Sequence, residues 1–329
     1  MKLATLKNGR PDGRLVIVSR DLQRAVDAPV PTMQAAMEQW DTVLPDLLAL
    51  YENLNANRVN GAHEIFAFDA SAAAAPLPRA YQWCDGSAFL NHGHLMERAF
   101  HTEPIPDFET IPVMYQGSGD DFLGPHDAVP LPSVDHGIDF EGEFGIVTGP
   151  VPMGATPSQA VGCVRLLVQL NDWSLRGFGP REMKTGFGFL QAKPSTAFAP
   201  VAVTPDELGN AWREGRVELD LHVHWNAQWF GQPNGREMNF NFYQLIAHAA
   251  ATRRLGAGTV IGSGTVSNKS RDAGSACISE RRVIELIDQG VARTAYMQFG
   301  DRVRMEARDA SGLAPFGVID QQVVQSPTP

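Results

Sequence analysis

Apolar and polar positions alternate over several segments of the chain, as is typical of β-strands with one buried face. The segments Lys2–Leu6 and Leu15–Ser19 flank a turn at residues 8–13 and together predict a hairpin. Val217–Trp225 alternates cleanly, whereas Val161–Leu170 is apolar almost throughout, which predicts a buried strand. Further strands are predicted at Val260–Val266, Val283–Ile287, Ala295–Phe299 and Arg302–Ala307.

Apolar residues with helical spacing mark three other segments. Residues 32–55 carry such a stripe, and Pro45 within it is expected to divide the helix in two. Ala88–Phe100 and Phe242–Leu255 are the other predicted helices, and glycines just after residue 255 are expected to end the last one. Strands dominate and do not alternate regularly with helices, so the sequence predicts a β-dominated α+β fold.

A segment of low complexity divides the chain unequally. Ala70–Arg79 is rich in alanine and ends in a Pro-x-Pro, which predicts a linker. We therefore expect a small α+β N-terminal domain at residues 1–75 and a larger domain at residues 76–329. The length of 329 residues exceeds the usual size of a single core, and 43% hydrophobic residues supply a substantial one.

Charge and composition exclude several classes of function. The formal net charge is −10, which argues against binding to the phosphate backbone of nucleic acids. A local cluster of Arg and Lys could still hold a small anionic substrate. Three widely spaced cysteines argue against a disulfide framework or a structural zinc site. We expect a cytoplasmic protein without a membrane partner, because no apolar run of about 18 residues occurs.

One predicted strand carries acids where a strand normally carries core residues. In the stretch Ile138–Val147, alternation places Asp139, Glu141 and Glu143 on one face and apolar residues on the other. Glu141 and Glu143 would lie roughly 7 Å apart along the strand. Two such charges raise each other's pKa unless a cation lies between them. From this stretch alone, a solvated face is a better interpretation than a metal site.

A metal site becomes the better interpretation if other acids lie near Glu141 and Glu143. Asp172 ends an apolar strand, where packing gives no reason for a carboxylate, and Asp85 precedes a predicted helix, where it could also be an N-cap. If both converge with Glu141 and Glu143, the four carboxylates form an all-oxygen site. Such a site selects Mg²⁺, Ca²⁺ or Mn²⁺ rather than zinc or copper. The order of these acids along the chain leaves their convergence open.

The order of several short motifs resembles the fumarylacetoacetate hydrolase family over roughly residues 80–310. The matching fragments are Asp85-Gly86-Ser87 with His92 seven residues after Asp85, Tyr115-Gln116-Gly117, Asp139-Phe140-Glu141-Gly142-Glu143, Asn171-Asp172-Trp173-Ser174-Leu175-Arg176, Lys193 within Leu190–Ser195, and Gly262–Ser267. The resemblance implies the family's mixed β-sandwich roll for the larger domain. It also implies that Asp85, Glu141, Glu143 and Asp172 bind a divalent cation.

The resemblance assigns His92 as the general base that activates water. A neutral imidazole can take a proton from water near neutral pH. Without the resemblance, a half-exposed helical histidine would be an equally good interpretation of His92. In the family a glutamate orients this histidine, and Glu280 is the nearest candidate here.

The resemblance also implies residues that bind substrate. Arg176 and Lys193 match basic residues that hold the substrate carboxylate and stabilise the developing oxyanion and enolate. Tyr115 and Thr265 would hydrogen-bond the substrate. Two positions depart from members that cleave fumarylacetoacetate. Gly179 stands where a glutamine is frequent, and Ser87 stands where a tyrosine is found.

The implied activity is metal-dependent hydrolysis of a carbon–carbon bond in a small anionic 1,3-diketo acid. Fumarylacetoacetate, a product of aromatic amino acid catabolism, is the first substrate expected, and fumarylpyruvate or another acylpyruvate is the alternative. Decarboxylation of oxaloacetate or isomerisation of a 2-oxo acid, and an inactive scaffold, are further alternatives. Relatives imply a homodimer. His222 and His224 could also bind a metal, but on a polar strand face we expect them to meet solvent or a subunit interface.

Overall fold

Two β-sheets organise the molecule, as a computed structural model that describes residues 1–59, 63–100 and 103–327 shows. The larger sheet has eleven strands and the smaller has five. Residues 1–67 contain β1 (Lys2–Leu6), β2 (Arg14–Val18), β3 (Arg24–Asp27), α1 (Met33–Glu38), α2 (Trp40–Asn55) and β4 (Ile65–Ala67). The remaining elements are β5 (Trp83–Gly86), α3 (Leu90–Phe100), β6 (Met114–Gly117), β7 (Val129–Leu131), β8 (Ile138–Asp139), β9 (Gly142–Thr148), α4 (Pro157–Ala160), β10 (Val164–Asn171), β11 (Ser174–Leu175), α5 (Gly179–Thr185), β12 (Ala197–Phe198), β13 (Ala202–Val203), β14 (Trp212–Arg213), β15 (Arg216–Val217), β16 (Asp220–Trp225), β17 (Gln228–Gly231), α6 (Phe242–Ala249), β18 (Thr259–Gly262), α7 (Ile278–Gln289), β19 (Arg302–Arg308) and β20 (Ile319–Gln325).

The predicted β-dominated α+β class is confirmed. The large sheet has the strand order β4-β3-β2-β1-β13-β10-β9-β18-β5-β6, and β12 pairs with β10 beside this path. The small sheet has the order β17-β16-β19-β20-β7. Within the described ranges, no helix is both long and apolar enough to cross a bilayer.

The apolar run in β10 is buried on both faces, as its composition predicted. Leu166 and Val168 belong to a core that includes Leu47 of α2, whereas Leu167 belongs to the core on the other face. The strand begins at Val164 rather than Val161 because α4 and a 3₁₀ turn occupy the preceding residues.

The core that contains Leu167 is shared by the two sheets. Phe144 and Ile146 of β9 are buried in the same cluster as Leu221 and Val223 of β16. A buried polar contact also crosses between the sheets. The Gln169 amide donates to the Met305 carbonyl at 3.1 Å and accepts from the Ala307 N–H at 2.7 Å. Because buried amides are costly unless paired, this contact fixes the relative position of the sheets.

The predicted N-terminal hairpin is confirmed, but the helix after it divides elsewhere. The break is at Gln39, where φ −114° and ψ 20° leave the helical region. Pro45 lies inside α2. It removes one intrahelical hydrogen bond. The helix continues through it because Val43 and Leu47 on either side are buried, and packing supplies most of the stability of a helix in a protein.

Several predictions for the C-terminal half are wrong or too long. The strand predicted at Val260–Val266 ends at Gly262, and the one predicted at Val217–Trp225 is interrupted between β15 and β16. Val283–Ile287 lies within α7, because the β-branched residues there have helical spacing and the Cys277 side chain caps the helix. Ala295–Phe299 contributes only a single bridge, from Met297 to Ile138. The helix predicted at Phe242–Leu255 ends at Ala249.

The N-terminal strands extend the same sheet as the rest of the chain, since β1 pairs with β13. The predicted linker packs along β1. The Ala74 N–H donates to the Thr5 carbonyl at 2.9 Å, and the Thr5 hydroxyl donates to the Pro76 carbonyl at 2.6 Å. Residues on both sides of residue 75 thus contribute strands to one sheet. The domain boundary at residue 75 stays a prediction.

Gly231 is expected to be sensitive to substitution because β17 passes very close to Ser275. A Cβ added at Gly231 would lie 2.2 Å from the Ser275 carbonyl oxygen. We expect Gly231→Ala to lower the free energy of unfolding by roughly 1–3 kcal/mol, measured by urea denaturation. Gly162→Ala is the control, because in the described chain no atom lies within 4 Å of the added Cβ. Equal effects of the two substitutions would contradict this account of the packing.

Candidate active site

Three buried carboxylates meet at one end of the large sheet. Asp85 lies in β5, Glu143 lies in β9, and Asp172 directly follows β10. These strands are brought together by β18, which pairs with both β5 and β9. One oxygen from each carboxylate lies within 4.8 Å of the others. The three positions thus converge because their strands are neighbours in the sheet.

The donor set fits a divalent cation. The Glu143 Oε1 atom is buried and has no hydrogen-bond partner among residues 1–59, 63–100 and 103–327. Burying a carboxylate oxygen without a partner costs free energy. Carboxylate oxygens are the ligands that hard divalent cations prefer, so a bound cation would supply the missing partner. Asp85, Glu143 and Asp172 are therefore the residues that could hold the metal.

Glycines bring the backbone of β18 close to these acids. A Cβ on Gly262 would lie 2.4 Å from Asp85 Oδ1 and 3.0 Å from Glu143 Oε2. The Gly264 N–H donates to both of these oxygens at 3.1 Å. The Gly-rich end of β18 is thus required by the close approach of the two carboxylates.

Burial and the charges of neighbouring carboxylates raise the pKa values of Asp85 and Glu143. Burial and the neighbouring Asp172 raise the pKa of Asp85 to about 8. Burial and the charges of Asp85 and Asp172 raise the pKa of Glu143 well above its usual range. A bound cation would favour the ionised forms of both groups.

Glu141 lies beside this cluster and is already paired. Its Oε1 accepts hydrogen bonds from the Ser174 hydroxyl at 2.6 Å and from Lys193 Nζ at 2.8 Å. Its Oε2 accepts from the Thr265 hydroxyl at 2.5 Å. Burial opposes ionisation of Glu141, but Lys193 and Arg176 outweigh it and hold the pKa well below its usual range. Metal binding by Glu141 stays a prediction, and so does substrate binding by Thr265.

Lys193 connects Glu141 to the acid cluster. Its Nζ lies 2.7 Å from Asp172 Oδ2 and 2.8 Å from Glu141 Oε1. Burial opposes its charge, but the two carboxylates outweigh burial and raise the pKa of Lys193 above its usual range. The Tyr115 hydroxyl donates to the same Asp172 oxygen at 2.5 Å. Lys193 and Tyr115 are thus donors beside the cluster, and their roles toward a substrate remain predictions.

Thr196 completes the surroundings of Asp172, and sequence reasoning missed it. Its hydroxyl donates to Asp172 Oδ1 at 2.8 Å. The signal available in the sequence was its position three residues after Lys193. In the structure it directly precedes β12, which pairs with the end of β10 beside Asp172.

Asp139 binds groups from two other parts of the site, although the sequence pattern predicted only that it lies on one face of a strand. Its Oδ1 accepts from the Ile278 N–H at 2.7 Å, and its Oδ2 accepts from the Ser279 N–H at 2.8 Å. The same Oδ2 accepts from Arg176 Nε at 2.9 Å. Arg176 in turn lies 2.9 Å from Glu141. Asp139 therefore links the first turn of α7 to the charged groups of the site. Direct binding of substrate by Arg176 stays a prediction.

His92 and Glu280, predicted as a pair, lie within hydrogen-bonding distance. His92 Nδ1 is 2.8 Å from Glu280 Oε2. Glu280 is buried in the first turn of α7, and His92 lies in the first turn of α3. Because α3 packs against α7, two helices distant in sequence form this pair. His222 and His224 belong to no cluster of metal ligands among the described residues.

Comparison with known families covers nearly the whole chain. The family model described as fumarylacetoacetate (FAA) hydrolase C-terminal matches residues 82–324. The model described as fumarylacetoacetase N-terminal domain 2 matches residues 1–79. The chain belongs to the fumarylacetoacetate hydrolase family. The resemblance noted from the sequence motifs is thereby confirmed.

Relatives within the fumarylacetoacetate hydrolase family differ in what they act on. A 2,4-didehydro-3-deoxy-L-rhamnonate hydrolase of Sphingomonas sp. (strain SKA58) is 32% identical over 165 residues, which is 49% of this chain and 54% of that protein. The chain thus spans about half the length of the curated relatives it matches first.

Two solved structures show the same fold. A fumarylacetoacetate hydrolase from Exiguobacterium antarcticum has a TM-score of 0.66 and 18% identity, covering 99% of both chains. A maleylpyruvate hydrolase from Sphingobium sp. SYK-6, in complex with manganese(II) ion and pyruvate, has a TM-score of 0.65 and 18% identity, covering 99% of this chain and 100% of that one. Hydrolases and isomerases share this fold among the solved structures.

We expect Glu143→Gln to weaken Mn²⁺ binding by at least roughly 10-fold, because the substitution replaces a charged ligand in a buried site. Binding would be measured by the electron paramagnetic resonance signal of free Mn²⁺. Asp120→Asn is the control, since Asp120 is an exposed loop carboxylate. Unchanged Mn²⁺ affinity in Glu143→Gln would exclude this cluster as the metal site.

Mn²⁺ affinity should rise as the pH passes through the raised pKa of Asp85, about 8. The raised pKa of Glu143 extends the same trend. Below these pKa values the cation must displace a proton, so affinity should fall about tenfold per pH unit for each proton released. Calorimetry in two buffers of different ionisation enthalpy would count these protons. A flat affinity and no proton release would show that Asp85 and Glu143 are already ionised without metal.

Proposed function

We propose that the chain is a divalent-metal-dependent hydrolase that cleaves a carbon–carbon bond in a 1,3-diketo acid. The observation that carries this proposal is the His92–Glu280 pair, held on the same framework as the three-carboxylate cluster. Asp139 supports that framework, since it binds both the start of α7 and Arg176. A water-activating base and a cation site are the two parts that such hydrolysis needs.

His92 is suited to take a proton from water. With Nδ1–H donated to Glu280, the lone pair of Nε2 is the acceptor that faces away from the pair. Glu280 also stabilises the imidazolium that forms once the proton has been taken. Water then adds to the substrate carbonyl as hydroxide, and His92 holds the proton that must later be returned.

Cleavage leaves an electron pair on carbon, which must be stabilised as an enolate. When bound, a divalent cation supplies Lewis-acid stabilisation of the diketone and enolate oxygens. Lys193 supplies a fixed positive charge next to Asp172. Its raised pKa keeps it protonated, so it acts as a donor rather than as a base. The proton held by His92 returns to the enolate carbon, which balances the addition of one water molecule.

The substrate class follows from the chemistry that the site and the relatives share. Fumarylacetoacetate has two carbonyl groups in a 1,3 relation, and so do the acylpyruvates, of which maleylpyruvate is one. We take fumarylacetoacetate as the first substrate and acylpyruvates, including fumarylpyruvate, as the second. Gly179 supports keeping both, because it stands where members that cleave fumarylacetoacetate frequently have a glutamine. We include a homodimer in the proposal, which sedimentation would test.

The test of function is an absorbance assay for loss of the conjugated diketone. Fumarylacetoacetate, fumarylpyruvate and maleylpyruvate would each be incubated with purified protein, with Mn²⁺ or Mg²⁺ and with EDTA. We expect cleavage of at least one substrate with metal and none with EDTA. Oxaloacetate would be incubated in the same way. If it is lost only with metal and no diketo acid is cleaved, the activity is decarboxylation and the proposal of hydrolysis is wrong.

His92→Asn should lower kcat by roughly 10²–10⁴-fold while leaving Mn²⁺ affinity unchanged, because it removes the base and not a metal ligand. His94→Asn on the same helix is the matched control, since His94 is exposed. Glu280→Gln should lower kcat less, because the imidazole remains. Normal turnover by His92→Asn would remove the general-base role and favour a reaction that needs no water nucleophile.

A further inference from the structure

Glu182 is a buried carboxylate outside the acid cluster that has a specific set of partners. Its oxygens accept hydrogen bonds from three consecutive backbone N–H groups: Leu190 at 3.0 Å, Gln191 at 2.8 Å and Ala192 at 3.1 Å. A carboxylate that receives several backbone N–H bonds makes strong, directional contacts. The last of these residues directly precedes Lys193.

The peptide before Lys193 is thereby held from two sides. On one side, Glu182 binds the Ala192 N–H. On the other side, the Leu175 N–H donates to the Ala192 carbonyl at 2.8 Å. Pro194 restricts the backbone of Lys193 from the following position. These contacts fix the point from which the lysine side chain reaches Glu141 and Asp172.

We propose that Glu182 is a positioning residue that acts through Lys193, holding the ammonium group between the carboxylates where the reaction needs it. This inference rests on the proposed function, in which Lys193 stabilises the enolate. Glu182 makes the connection although it touches neither the cluster nor Lys193 Nζ.

The chain between Glu182 and Leu190 explains why a clamp is needed here. Phe187 is 97% exposed and Leu190 is 84% exposed. The packing of this stretch comes mainly from Phe189, whose ring centroid lies 5.3 Å from that of Tyr115. Gly186 and Gly188 have φ values of +72° and +94°, a region that few other residues adopt. Glu182 separates this largely exposed stretch from the segment that carries Lys193. Without its carboxylate, three N–H groups lose their acceptor and the segment can move.

The first experiment measures the position of Lys193 without any substrate. Wild-type protein and Glu182→Ala would be pulsed with acetic anhydride, and modification of each lysine would be followed by mass spectrometry. We expect modification of Lys193 to become at least about tenfold faster in Glu182→Ala, since local opening exposes a protected group. Lys2, buried against the Pro315 carbonyl, should stay protected as the internal control. Lys184→Ala, an exposed position on the same helix, should leave the Lys193 rate unchanged.

The outcomes separate positioning from general stability. Faster modification of Lys193 and Lys2 together would mean that Glu182 only stabilises the fold, and it would overturn the proposal. Unchanged modification of Lys193 would also overturn it. Glu182→Gln should give an intermediate rate, because its single carbonyl oxygen can still accept the Leu190 and Ala192 N–H bonds.

The second experiment is a double-mutant cycle on kcat with the diketo acid that wild type cleaves. We expect Glu182→Ala alone to lower kcat on the order of 10–100-fold. In a Lys193→Ala background it should cost little more, because the group it positions is gone. Multiplicative effects would show that Glu182 acts by another route. If wild type cleaves no diketo acid, the proposed function fails while the labelling result still decides the position of Lys193.

Discussion

The charge balance of the buried site is the constraint on which the structure depends. Five carboxylates, those of Asp85, Asp139, Glu141, Glu143 and Asp172, are withdrawn from water together. Two side-chain cations, Arg176 and Lys193, lie among them. Because isolated buried charges are very costly, the protein divides these acids into two groups. Asp139, Glu141 and Asp172 each contact Arg176 or Lys193. Asp85 and Glu143 have no basic partner in the part of the chain that the structure describes, and their pKa values are raised, so a bound cation would be needed to favour their ionised forms.

The sheet converts this charge division into geometry. The three carboxylates of the cluster, those of Asp85, Glu143 and Asp172, come from β5, β9 and the end of β10. The strand β18 lies between β9 and β5, and neither Gly262 at its end nor Gly264 just after it carries a side chain. Neighbouring strands keep a fixed separation, so the distances between the acids follow from strand order. The His92–Glu280 pair is connected to these strand ends through Asp139, which binds the first turn of α7, where Glu280 lies. The base and the cation site are therefore parts of one hydrogen-bonded framework.

Much of the site could be predicted from the sequence, for a definite reason. The order of the acids and of His92 is a local, one-dimensional pattern, and the family resemblance supplied their convergence and the candidate partner Glu280. The contacts of Asp139, Thr196 and Glu182 were not predicted, because each depends on backbone groups brought near by the fold. Val283–Ile287 was taken for a strand because β-branched residues favour strands locally, whereas the packing of α7 decides the outcome. Pro45 does not divide its helix, because the buried residues on either side of it, Val43 and Leu47, hold both parts of α2 against the core.

The position of β18 also has a consequence for the order in which the chain folds. Trp83 pairs with Val260, and Asp85 lies opposite Gly262, across a large separation in sequence. During synthesis, β5 and β9 leave the ribosome long before the strand that joins them. Although β5 can pair with β6 and β9 with β10 before that point, the two pairs of strands are joined only when β18 has been synthesised. Pairings so distant in sequence form slowly, so assembly of the cation site belongs to a late stage of folding. A nascent chain that ends before residue 259 would lack this strand and with it the joined carboxylates.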